Sequence, residues 1–394
     1  MQIALIADSF PPMRTSGAVQ LRDLSLEFVR QGHEPTVLIP AAPLTERFRI
    51  ETFNGVRIAR LRAPRTKDIG YVRRTLGEFL MPFAMLYNLR KSPLADEHWD
   101  GVVWYSPTIF LGPIARALKS ASACRSYLII RDIFPEWAVD MGLMGRGLPY
   151  RFFKSVERHQ YSVADTIGVQ SLSNLAYFSS RGRGIEVLQN WLAEAPNIGC
   201  SIAVSATALA GRKIFVYAGN MGVAQGMGVL LDLADSLRQR TDIGFLFVGR
   251  GSDAQRLRSD AASRKLDNVR FFDEIDPSEI PGLYAQCHIG LVALDPRHKT
   301  HNIPGKFLSY MQCGLPVLAI VNPGNDLAGL IEAENVGRAC TTQAIPTLRH
   351  LAETLVTDLA ADEGVGFRCR DLAKRLFSPE TAVNQIVAAL KATP

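Results

Sequence analysis

The sequence predicts an α/β protein made of two doubly wound domains that face each other across a cleft. The chain has 394 residues, which at roughly 150 residues per domain favours two domains over one. Hydrophobic residues make up 47% of the chain and charged residues 21%, a composition typical of a packed core. Short apolar runs alternate with amphipathic helical patterns, as in parallel sheets with helical crossovers.

The first predicted domain covers residues 1–195 and begins with a strand and a helix. Ile3–Ala7 is an apolar strand pattern, and the apolar residues that follow Ser16 and Gly17 recur at helical spacing as far as Gly32. Four further apolar runs predict the next strands: Pro35–Pro40, Gly101–Tyr105, Ser126–Asp132 and Thr166–Gln170.

The second predicted domain covers residues 196–376 and follows a linker without clear periodicity at 189–210. Five apolar runs predict its strands: Lys213–Gly219, Gly244–Gly249, Val269–Asp273, Ile289–Leu294 and Pro316–Val321. The final segment, 377–394, predicts an amphipathic helix at Pro379–Lys391 that crosses back to the first domain. In such sheets a ligand binds at the carboxyl ends of the strands.

Cysteine spacing and the first residues of the chain indicate the compartment. Six cysteines are scattered without a CxxC pair, which argues against a zinc site and against a disulfide framework. The chain begins directly with a strand pattern and shows no secretory signal. These features predict a protein of the reducing cytoplasm.

The positive charge of the chain is concentrated in one segment. Seven basic residues against one acid between Arg57 and Arg74 give a local excess of +6, which equals the formal net charge of the whole chain. The apolar run Phe79–Tyr87 follows at once. A basic loop before a buried helix and a helix lying on an anionic membrane are both compatible with this order.

A glycine-rich loop follows the first strand of the second domain. In YAGNMGVAQG the glycines are Gly219, Gly222 and Gly226, and a helix comes next, which together indicate an anion pocket. The spacing does not fit GxGxxG, and no acidic residue ends the next strand, so binding of NAD is disfavoured. A plain tight turn remains the alternative.

A second motif is HKTHNIPGKFLSYMQCGLPVLA, residues 298–319. Pro304 suits a first helical turn, Gly305 admits close approach of a ligand, and Lys306 adds positive charge where the helix dipole already attracts anions. This arrangement favours a diphosphate over an ordinary helix start. His298 and His301 lack further ligands in the sequence, so we predict no metal site.

At these motifs the whole chain resembles the retaining nucleotide-sugar glycosyltransferases of family 4, which have the GT-B fold. YAGNMGVAQG looks like the family's phosphate loop, PGKFLSYMQCGLPVLA like its P-x-K-x-x-E-Y-M helix, and residues 131–144 like the segment that lines the first-domain side of the cleft. Within the family, KTHNIPGKFLSYMQ is most similar to bacterial O-antigen and capsule enzymes that transfer N-acetyl-L-fucosamine.

The resemblance implies a metal-independent hexosyltransferase without a cofactor. It would move a sugar from a UDP-sugar, with retention, to a lipid-diphosphate-linked saccharide during synthesis of O-antigen and lipopolysaccharide. The enzyme would be cytoplasmic and peripheral on the inner face of an anionic membrane, and it would bind no nucleic acid. The expected catalytic residues are Lys306, Asp132 and His301. The expected donor-binding residues are Gly17, Gly219, Asn220, Met221, Gly222, Arg250, Ile275, Pro304, Gly305, Ser309 and Glu332. The expected acceptor and membrane residues are Arg73, Arg74, Phe79, Phe83 and Arg131.

The sequence departs from the family pattern in several places. Asn220 and Gln225 stand where many members have an Arg and a Lys, so more of the diphosphate charge falls on Lys306. The family's two glutamates fall on His301 and Ser309, which makes Glu332 or Glu334 the substitute ribose ligand, and Arg131 replaces a family His. Two other functions stay open, a UDP-sugar 2-epimerase and a non-catalytic relative that binds nucleotide sugar or membrane.

Overall fold

The structure is a computed structural model that describes residues 1–13, 15–67, 69–178, 184–222, 225–295 and 303–392. The chain divides into two compact units. Unit 1 contains Met1–Trp191 together with Pro379–Pro394, and unit 2 contains Leu192–Ser378. The boundaries expected from the sequence lay after residues 195 and 376.

Unit 1 contains an eight-stranded sheet with the order β3-β4-β2-β1-β5-β6-β7-β8. All neighbouring strands pair in parallel except β3 and β4. Its strands are β1 (Gln2–Ile6), β2 (Glu34–Ala41), β3 (Phe48–Phe53), β4 (Val56–Arg62), β5 (Gly101–Ser106), β6 (Arg125–Ile130), β7 (Thr166–Val169) and β8 (Gly184–Val187). The helices of this part are α1 (Ser16–Arg30), α2 (Tyr71–Leu89), α3 (Gly112–Ser122), α4 (Glu136–Asp140), α5 (Leu148–Val163) and α6 (Leu172–Phe178).

Unit 2 contains a six-stranded parallel sheet with the order β11-β10-β9-β12-β13-β14. Its strands are β9 (Lys213–Ala218), β10 (Ile243–Val248), β11 (Val269–Phe272), β12 (Ile289–Ala293), β13 (Val317–Ile320) and β14 (Gly337–Cys340). Its helices are α7 (Gly228–Ser236), α8 (Ala254–Ser263), α9 (Ile280–Tyr284), α10 (Gly305–Gln312), α11 (Asp326–Ala333), α12 (Ile345–Ala361) and α13 (Val365–Phe377).

The last helix, α14 (Pro379–Lys391), is part of unit 1. Its apolar face, with Val383 and Ile386, packs with Phe28 of α1 on one face of the sheet. Met85 of α2 and Ile114 of α3 cover the other face. The sheet of unit 2 is likewise covered on both faces. Both units are therefore doubly wound, and the predicted fold class is confirmed.

The hairpin formed by β3 and β4 is missing from the strands predicted from the sequence. Asn54 and Gly55 connect the two strands, both with positive φ (47° and 84°), as the two-residue hairpin turn requires. Along β4 the apolar residues Val56, Ile58 and Leu61 are buried, with arginines between them. The sequence analysis interpreted these arginines as part of a charge cluster and therefore did not predict the strand.

Candidate functional site

The glycine loop of unit 2 connects β9 to α7 at the carboxyl edge of the sheet. Gly219 follows β9 with φ +134° and Gly226 precedes α7 with φ +56°, backbone conformations that favour glycine. A Cβ atom on Gly226 would lie 3.1 Å from Cα of Asp295. The chain therefore turns sharply here and passes close to the end of β12.

The loop after β9 packs directly against the loop after β10. The amide of Gly219 donates to the carbonyl of Val248 at 2.9 Å, and the amide of Met221 donates to the carbonyl of Arg250 at 2.7 Å. A Cβ atom on Gly249 would lie 2.0 Å from the carbonyl oxygen of Gly219. Because Gly249 also has φ +142°, this backbone contact requires glycine.

These hydrogen bonds change the predicted role of the loop amides. Gly219, Met221 and Gly222 were expected to offer their N–H groups to a diphosphate. The first two bind the neighbouring loop, and the Gly222 amide donates to Oε1 of Gln225 at 3.0 Å. The side-chain amide of Asn220 donates to the same oxygen at 3.3 Å. Gln225 stands where many family members have a cation. Its side chain therefore links the glycine loop internally through these two hydrogen bonds.

Helix α10 brings Lys306 against this loop. Its Nζ lies 4.5 Å from the centroid of the Tyr217 ring, and a Cβ atom on Gly219 would lie 3.9 Å from Cε of Lys306. The Tyr217 hydroxyl in turn donates to the carbonyl of Asn220 at 2.6 Å. The ammonium group is thus fixed beside the glycine loop by an aromatic ring.

The N-terminus of α10 adds further positive character beside Lys306. Pro304 precedes the helix in an extended conformation, and no described side chain caps the first turn. The amide of Phe307 donates to the carbonyl of Pro304, which leaves the amides of Gly305 and Lys306 to donate to a ligand. Ser309, one turn further, donates only weakly to the carbonyl of Gly305, at 3.5 Å. Lys306 and the helix N-terminus together form a compact site for an anion.

Packing holds α10 in this position. The Tyr310 hydroxyl donates to the carbonyls of Val216 and Leu291, at 3.0 Å and 3.2 Å, which ties the helix to β9 and β12. Gly290 leaves room for the ring, since a Cβ atom there would lie 2.5 Å from it. The residues after Lys306 in PGKFLSYM therefore serve to place the lysine.

Lys306 forms no ion pair with any carboxylate among the described residues. Burial lowers the pKa of Lys306 to about 8, because the cation loses water without gaining a counter-charge. An anion bound beside it would restore the ordinary pKa. A partly buried cation without a described counter-charge is expected where a negative ligand binds.

The structure places the remaining donor residues of unit 2 in different surroundings. Arg250 follows β10, but its exposed guanidinium pairs with Glu274 at 2.9 Å. Ile275 follows β11 and packs on the core of the unit. His301 lies outside the described residues. The structure brings together eight residues of the predicted set: Gly219, Asn220, Met221, Gly222, Pro304, Gly305, Lys306 and Ser309.

Glu332 does not lie with this group, so the structure gives no support to its predicted role in ribose binding. It is exposed on the last turn of α11, and β14 begins five residues later at Gly337. That turn leads into the amino edge of the sheet, whereas the glycine loop lies at the carboxyl edge. Glu334 follows it and pairs with Arg375 at 2.6 Å. Asp295 is buried beside Gly226 at the carboxyl end of β12. The sequence analysis missed this residue, although an acid directly after the apolar run IGLVAL could have indicated it.

In unit 1, Gly17 lies in the first turn of α1 beside the end of β5. A Cβ atom there would lie 3.2 Å from the Tyr105 ring, so glycine allows the helix start to approach the strand. The side chain of Thr15 caps the helix by accepting from the amide of Ala18 at 3.3 Å. Gly17 was expected to bind the donor, and this cap satisfies one N–H group of the helix start that contains it.

Arg131 is buried inside unit 1, which contradicts its predicted place in an acceptor or membrane surface. It is only 6% exposed, and its guanidinium lies 4.4 Å from the Trp191 ring and 5.5 Å from the Tyr105 ring. Burial lowers its pKa from the usual arginine range. Arg131 therefore braces the end of β6, while the next residue, Asp132, is exposed.

The basic segment also separates into parts with different surroundings. Arg57 and Arg60 lie on β4, where they pair with Glu97 and Glu51, so they do not form one cationic surface with the helix that follows. On α2, Arg74 pairs with Glu78 at 2.9 Å. Arg73 is exposed and forms no ion pair within the described ranges.

Helix α2 is apolar on two opposite faces. Its inner face, with Met81 and Met85, is buried in unit 1. Its outer face is exposed, and the apolar side chains there are Val72, Leu76, Phe79, Leu80, Phe83 and Tyr87. Phe79 also contacts Phe152 of α5, with ring centroids 6.2 Å apart. We call these seven residues the α2 surface. None of the described helices has both the length and the apolar character needed to cross a bilayer.

A search for metal ligands in the described part of the chain finds no group of three or more His, Cys, Asp or Glu side chains that could hold an ion. All six cysteines are free thiols.

Comparison with known proteins finds a family model that matches part of the second unit. Residues 212–357 match the family model described as "Glycosyl transferases group 1". This range begins just before β9 and contains the glycine loop, Lys306 and α10. The site described above thus lies within the matching segment.

One curated relative and two solved structures extend the likeness to the rest of the chain. "Probable glycosyltransferase WbjE" of Pseudomonas aeruginosa is 22% identical over 284 residues, 70% of each protein. Anabaena HepE, solved with UDP and glucose, matches the whole of both chains at 16% identity and a TM-score of 0.67. WaaG, a glycosyltransferase involved in lipopolysaccharide biosynthesis, matches 99% of this chain and all of its own at 13% identity and a TM-score of 0.64.

The sequence match and the structural matches agree. Structural neighbours at these identities establish the fold, and they are GT-B glycosyltransferases. Residues 212–357 are thus related to the glycosyl transferases group 1 family, and the chain has the two-domain α/β fold of GT-B glycosyltransferases.

Proposed function

We propose that the protein transfers a sugar, with retention and without a metal ion, from a UDP-sugar to a lipid-linked saccharide in the synthesis of a surface polysaccharide. One observation carries the proposal. Lys306 has no ion-pair partner among the described residues and lies against a glycine loop at an uncapped helix N-terminus. This group lies inside the segment that matches the glycosyltransferase model.

The proposed donor fits the chemistry of this group. A UDP-sugar carries a diphosphate, and a diphosphate supplies the negative charge that Lys306 lacks. The open N–H groups of α10 add hydrogen bonds and a favourable dipole. HepE, a protein with the same fold, was solved with UDP, which supports a uridine nucleotide as the guest.

The chemical step that we propose depends on stabilising departing charge. As the bond between the sugar and the phosphate breaks, negative charge grows on the leaving diphosphate, and in this proposal Lys306 and the start of α10 stabilise it. The departing phosphate then takes the proton of the attacking acceptor hydroxyl, so no protein base is needed. Asp132 orients substrate hydroxyls, and His301 contacts the donor sugar.

N-acetyl-L-fucosamine is the donor sugar that we propose. The support is the likeness of residues 299–312 to enzymes that use this sugar, and in this segment His301 and Ser309 replace the family's two glutamates. A panel of UDP-sugars in a thermal-shift assay tests this choice, since a ligand at 100 times its Kd adds about 2.7 kcal/mol to stability. The UDP derivative of N-acetyl-L-fucosamine is expected to give the largest shift. An equal or larger shift with UDP-glucose would contradict the choice.

The α2 surface is the part that we propose lies on the membrane, at its cytoplasmic face. Six exposed apolar side chains on one helix face, with Phe152 beside them, form a patch of the kind that marks an interaction site. Arg73 stands at one end of the helix, and Arg47 lies 5.5 Å from the Tyr87 ring near the other. Cations beside an apolar helix face favour an anionic lipid surface.

Release of UDP from a UDP-sugar tests the function as a whole. The assay is run with and without a lipid-linked N-acetylglucosamine acceptor, and the product is identified by mass and by anomeric configuration. We expect UDP release that depends on the acceptor and a product with retained configuration. UDP release without need of an acceptor, together with an epimerised sugar, would indicate a 2-epimerase. Binding of the UDP-sugar without turnover would indicate a non-catalytic protein.

A further inference from the structure

Gln225 is the acceptor in a small hydrogen-bonded group within the glycine loop. Its Oε1 accepts a hydrogen bond from the amide of Gly222 at 3.0 Å and another from the side-chain amide of Asn220 at 3.3 Å. A Cβ atom on Gly222 would lie 2.9 Å from Nδ2 of Asn220 and 3.0 Å from Oε1 of Gln225, so both side chains lie directly over this glycine. We call Asn220, Gly222 and Gln225 the loop latch.

The contacts of the loop latch are those that a bound anion would make. A main-chain N–H group and a side-chain amide converge on one oxygen atom, and both donors belong to the loop that was expected to hold a diphosphate. Loops that bind phosphate present convergent donors of this kind. The oxygen of Gln225 therefore takes the position of an acceptor atom of a ligand.

The rest of the glycine loop is held by contacts that do not involve the side chain of Gln225. The amides of Gly219 and Met221 donate to carbonyls of the loop after β10. The Tyr217 hydroxyl donates to the main-chain carbonyl of Asn220 at 2.6 Å. The loop latch can therefore open by rotation of the side chains of Asn220 and Gln225 while the main chain keeps its path.

We propose that Gln225 is a built-in competitor of the diphosphate. Its side-chain oxygen engages the donors of Gly222 and Asn220 before the donor substrate binds, and a phosphate oxygen displaces it upon binding. The inference rests on the proposed function, because the displacing group is the diphosphate of a UDP-sugar. It goes further by assigning a role in binding to a residue that the sequence analysis counted only as a missing cation.

The cation of the site favours this displacement. Nζ of Lys306 lies 4.5 Å from the centroid of the Tyr217 ring, and the hydroxyl of the same ring holds Asn220. A diphosphate has two phosphates, so one binds Lys306 while the other reaches the loop latch. Hydrogen bonds to an ionised acceptor are roughly twice as strong as those between neutral groups. A phosphate oxygen therefore outcompetes the neutral oxygen of Gln225.

The cost of opening the loop latch lowers the affinity for the donor. When a ligand binds only the open form, its apparent Kd equals the intrinsic Kd divided by the open fraction. An open fraction of about one in ten raises the Kd for UDP about tenfold. Because the loop latch forms again as UDP leaves, it also favours release of the product over its retention.

Binding of UDP to the full chain at pH 7, measured by titration calorimetry, tests the loop latch. Gln225→Met keeps the length of the side chain and replaces its amide by a weak acceptor, and Gln225→Ala removes most of the side chain. We expect both to lower the Kd for UDP by about three- to tenfold. Gln225→Glu keeps the shape but gives the acceptor a negative charge, so the Kd should rise by about tenfold or more. Gln255→Met, exposed on α8, is the matched control and should keep the wild-type Kd.

A double substitution distinguishes displacement from a simple change of shape. Asn220→Ala removes one hydrogen bond of the loop latch together with one donor to the phosphate. In the wild-type background these two effects oppose each other, so the Kd for UDP should change little. In the Gln225→Met background only the loss of the donor remains, and the Kd should rise by roughly tenfold. This non-additivity is the signature of donors shared between Gln225 and the ligand.

The outcomes separate this inference from the proposed function, because inorganic pyrophosphate is titrated into the same samples. Unchanged or weaker binding of both ligands in either folded variant, Gln225→Met or Gln225→Ala, would overturn the loop latch and leave the donor site standing. The expected order of variants, with UDP bound no more tightly than pyrophosphate, would contradict the uridine donor alone. Absence of binding of both ligands to every sample would reject both. If one Gln225 variant does not fold, as judged by its melting temperature, the other provides the answer.

Discussion

The carboxyl edges of the two sheets differ in chemistry, although both units are doubly wound. In unit 2 the edge consists of glycine loops packed backbone to backbone, with Lys306 as a cation that no described carboxylate neutralises. In unit 1 a cavity at this edge is lined by aromatic and aliphatic side chains together with the carboxylates of Asp8, Glu78 and Asp132. The comparison shows that the doubly wound fold places loop residues at one edge of each sheet but does not determine the chemistry of those residues. The side chains and backbone conformation of those loops then determine which ligands each edge can bind.

Of the substitutions predicted here, removal of the Lys306 cation should have the largest effect on turnover. Lys306→Ala is expected to lower kcat on the order of 10²-fold or more, as loss of one preorganised charge at a reacting centre does. The melting temperature should hardly change, since the lysine is a partly buried cation that no carboxylate in the described chain neutralises. UDP release at saturating donor concentration measures the effect.

The control for Lys306→Ala is Lys213→Ala. Lys213 is exposed at the amino end of β9, the strand whose carboxyl end leads into the glycine loop. It should keep wild-type turnover. Wild-type turnover in Lys306→Ala as well would remove the cation from the mechanism.

The next prediction concerns the backbone contact between the loops after β9 and β10. Gly249→Ala places a methyl group 2.0 Å from the Gly219 carbonyl oxygen at a φ of +142°. We expect a loss of stability of about 1–3 kcal/mol and weaker UDP binding, because the loop after β9 must move. Thermal unfolding with and without UDP measures both.

Gly228→Ala is the matched substitution for this test. A Cβ atom there meets nothing within 4 Å, so both stability and UDP binding should stay close to wild type. If Gly249→Ala behaved in the same way, the packing of the two loops would not determine the shape of the donor site.

Affinity for the donor should depend on pH through Lys306. Its pKa of about 8 means that the ammonium form dominates below pH 8 and is lost above it, and only the ammonium form attracts a diphosphate. Between pH 8 and pH 9 the cationic fraction drops about fivefold, and Kd for UDP should rise by a similar factor. Titration calorimetry across this interval checks the prediction. In Lys306→Met the Kd should be flat, and a flat profile in the wild type would show that the lysine does not bind the diphosphate.

Arg73 and Phe83, both exposed on α2, test the membrane proposal. Arg73→Gln with Phe83→Ser removes one cation and one apolar side chain from the α2 helix without touching the cavity. A cation near an anionic bilayer contributes about 1 kcal/mol, so binding to anionic liposomes should weaken by about tenfold once the loss of Phe83 is added. Cosedimentation at 0.05 M and 0.5 M salt, concentrations chosen at roughly one-third and three times physiological strength, should show weakening by screening.

The control pair lies in unit 2. Arg212→Gln with Phe367→Ser removes the same two kinds of side chain, and Phe367 is 70% exposed. This variant should bind liposomes as the wild type does. Equal binding of all three proteins would reject the α2 surface as the docking site.

Chelation should have the smallest effect. We expect EDTA to leave turnover unchanged, because in the proposed reaction Lys306 and the α10 N-terminus offset the charge of the leaving group that a metal ion would otherwise neutralise. The measurement is UDP release before and after chelation. Loss of activity that Mg²⁺ or Mn²⁺ restores would contradict this mechanism.

Local sequence patterns were sufficient to predict the fold class and to single out the motif around Lys306. Period-two and period-3.6 patterns depend on which residues must be buried, and this requirement is local, so the strand at β9, the helix at α1 and the last helix, Pro379–Lys391, could be read from the chain. Lys306 was identifiable for the same reason, since Pro304, Gly305 and Lys306 define a helix start within three residues.

Only the tertiary structure decided which of the other residues meet. The partners of the Gly219 and Met221 amides lie on the loop after β10, and no local pattern shows that they are already engaged. Glu332 looked suitable as a carboxylate, yet the direction of α11 carries it to the amino edge. Arg131 was expected among the acceptor and membrane residues, whereas the structure buries it against Trp191, 60 residues later in the chain. Hydrogen bonding and burial depend on neighbours far away in sequence, which is why the cavity of Asp8, Glu78 and Asp132 was visible only once the chain had folded.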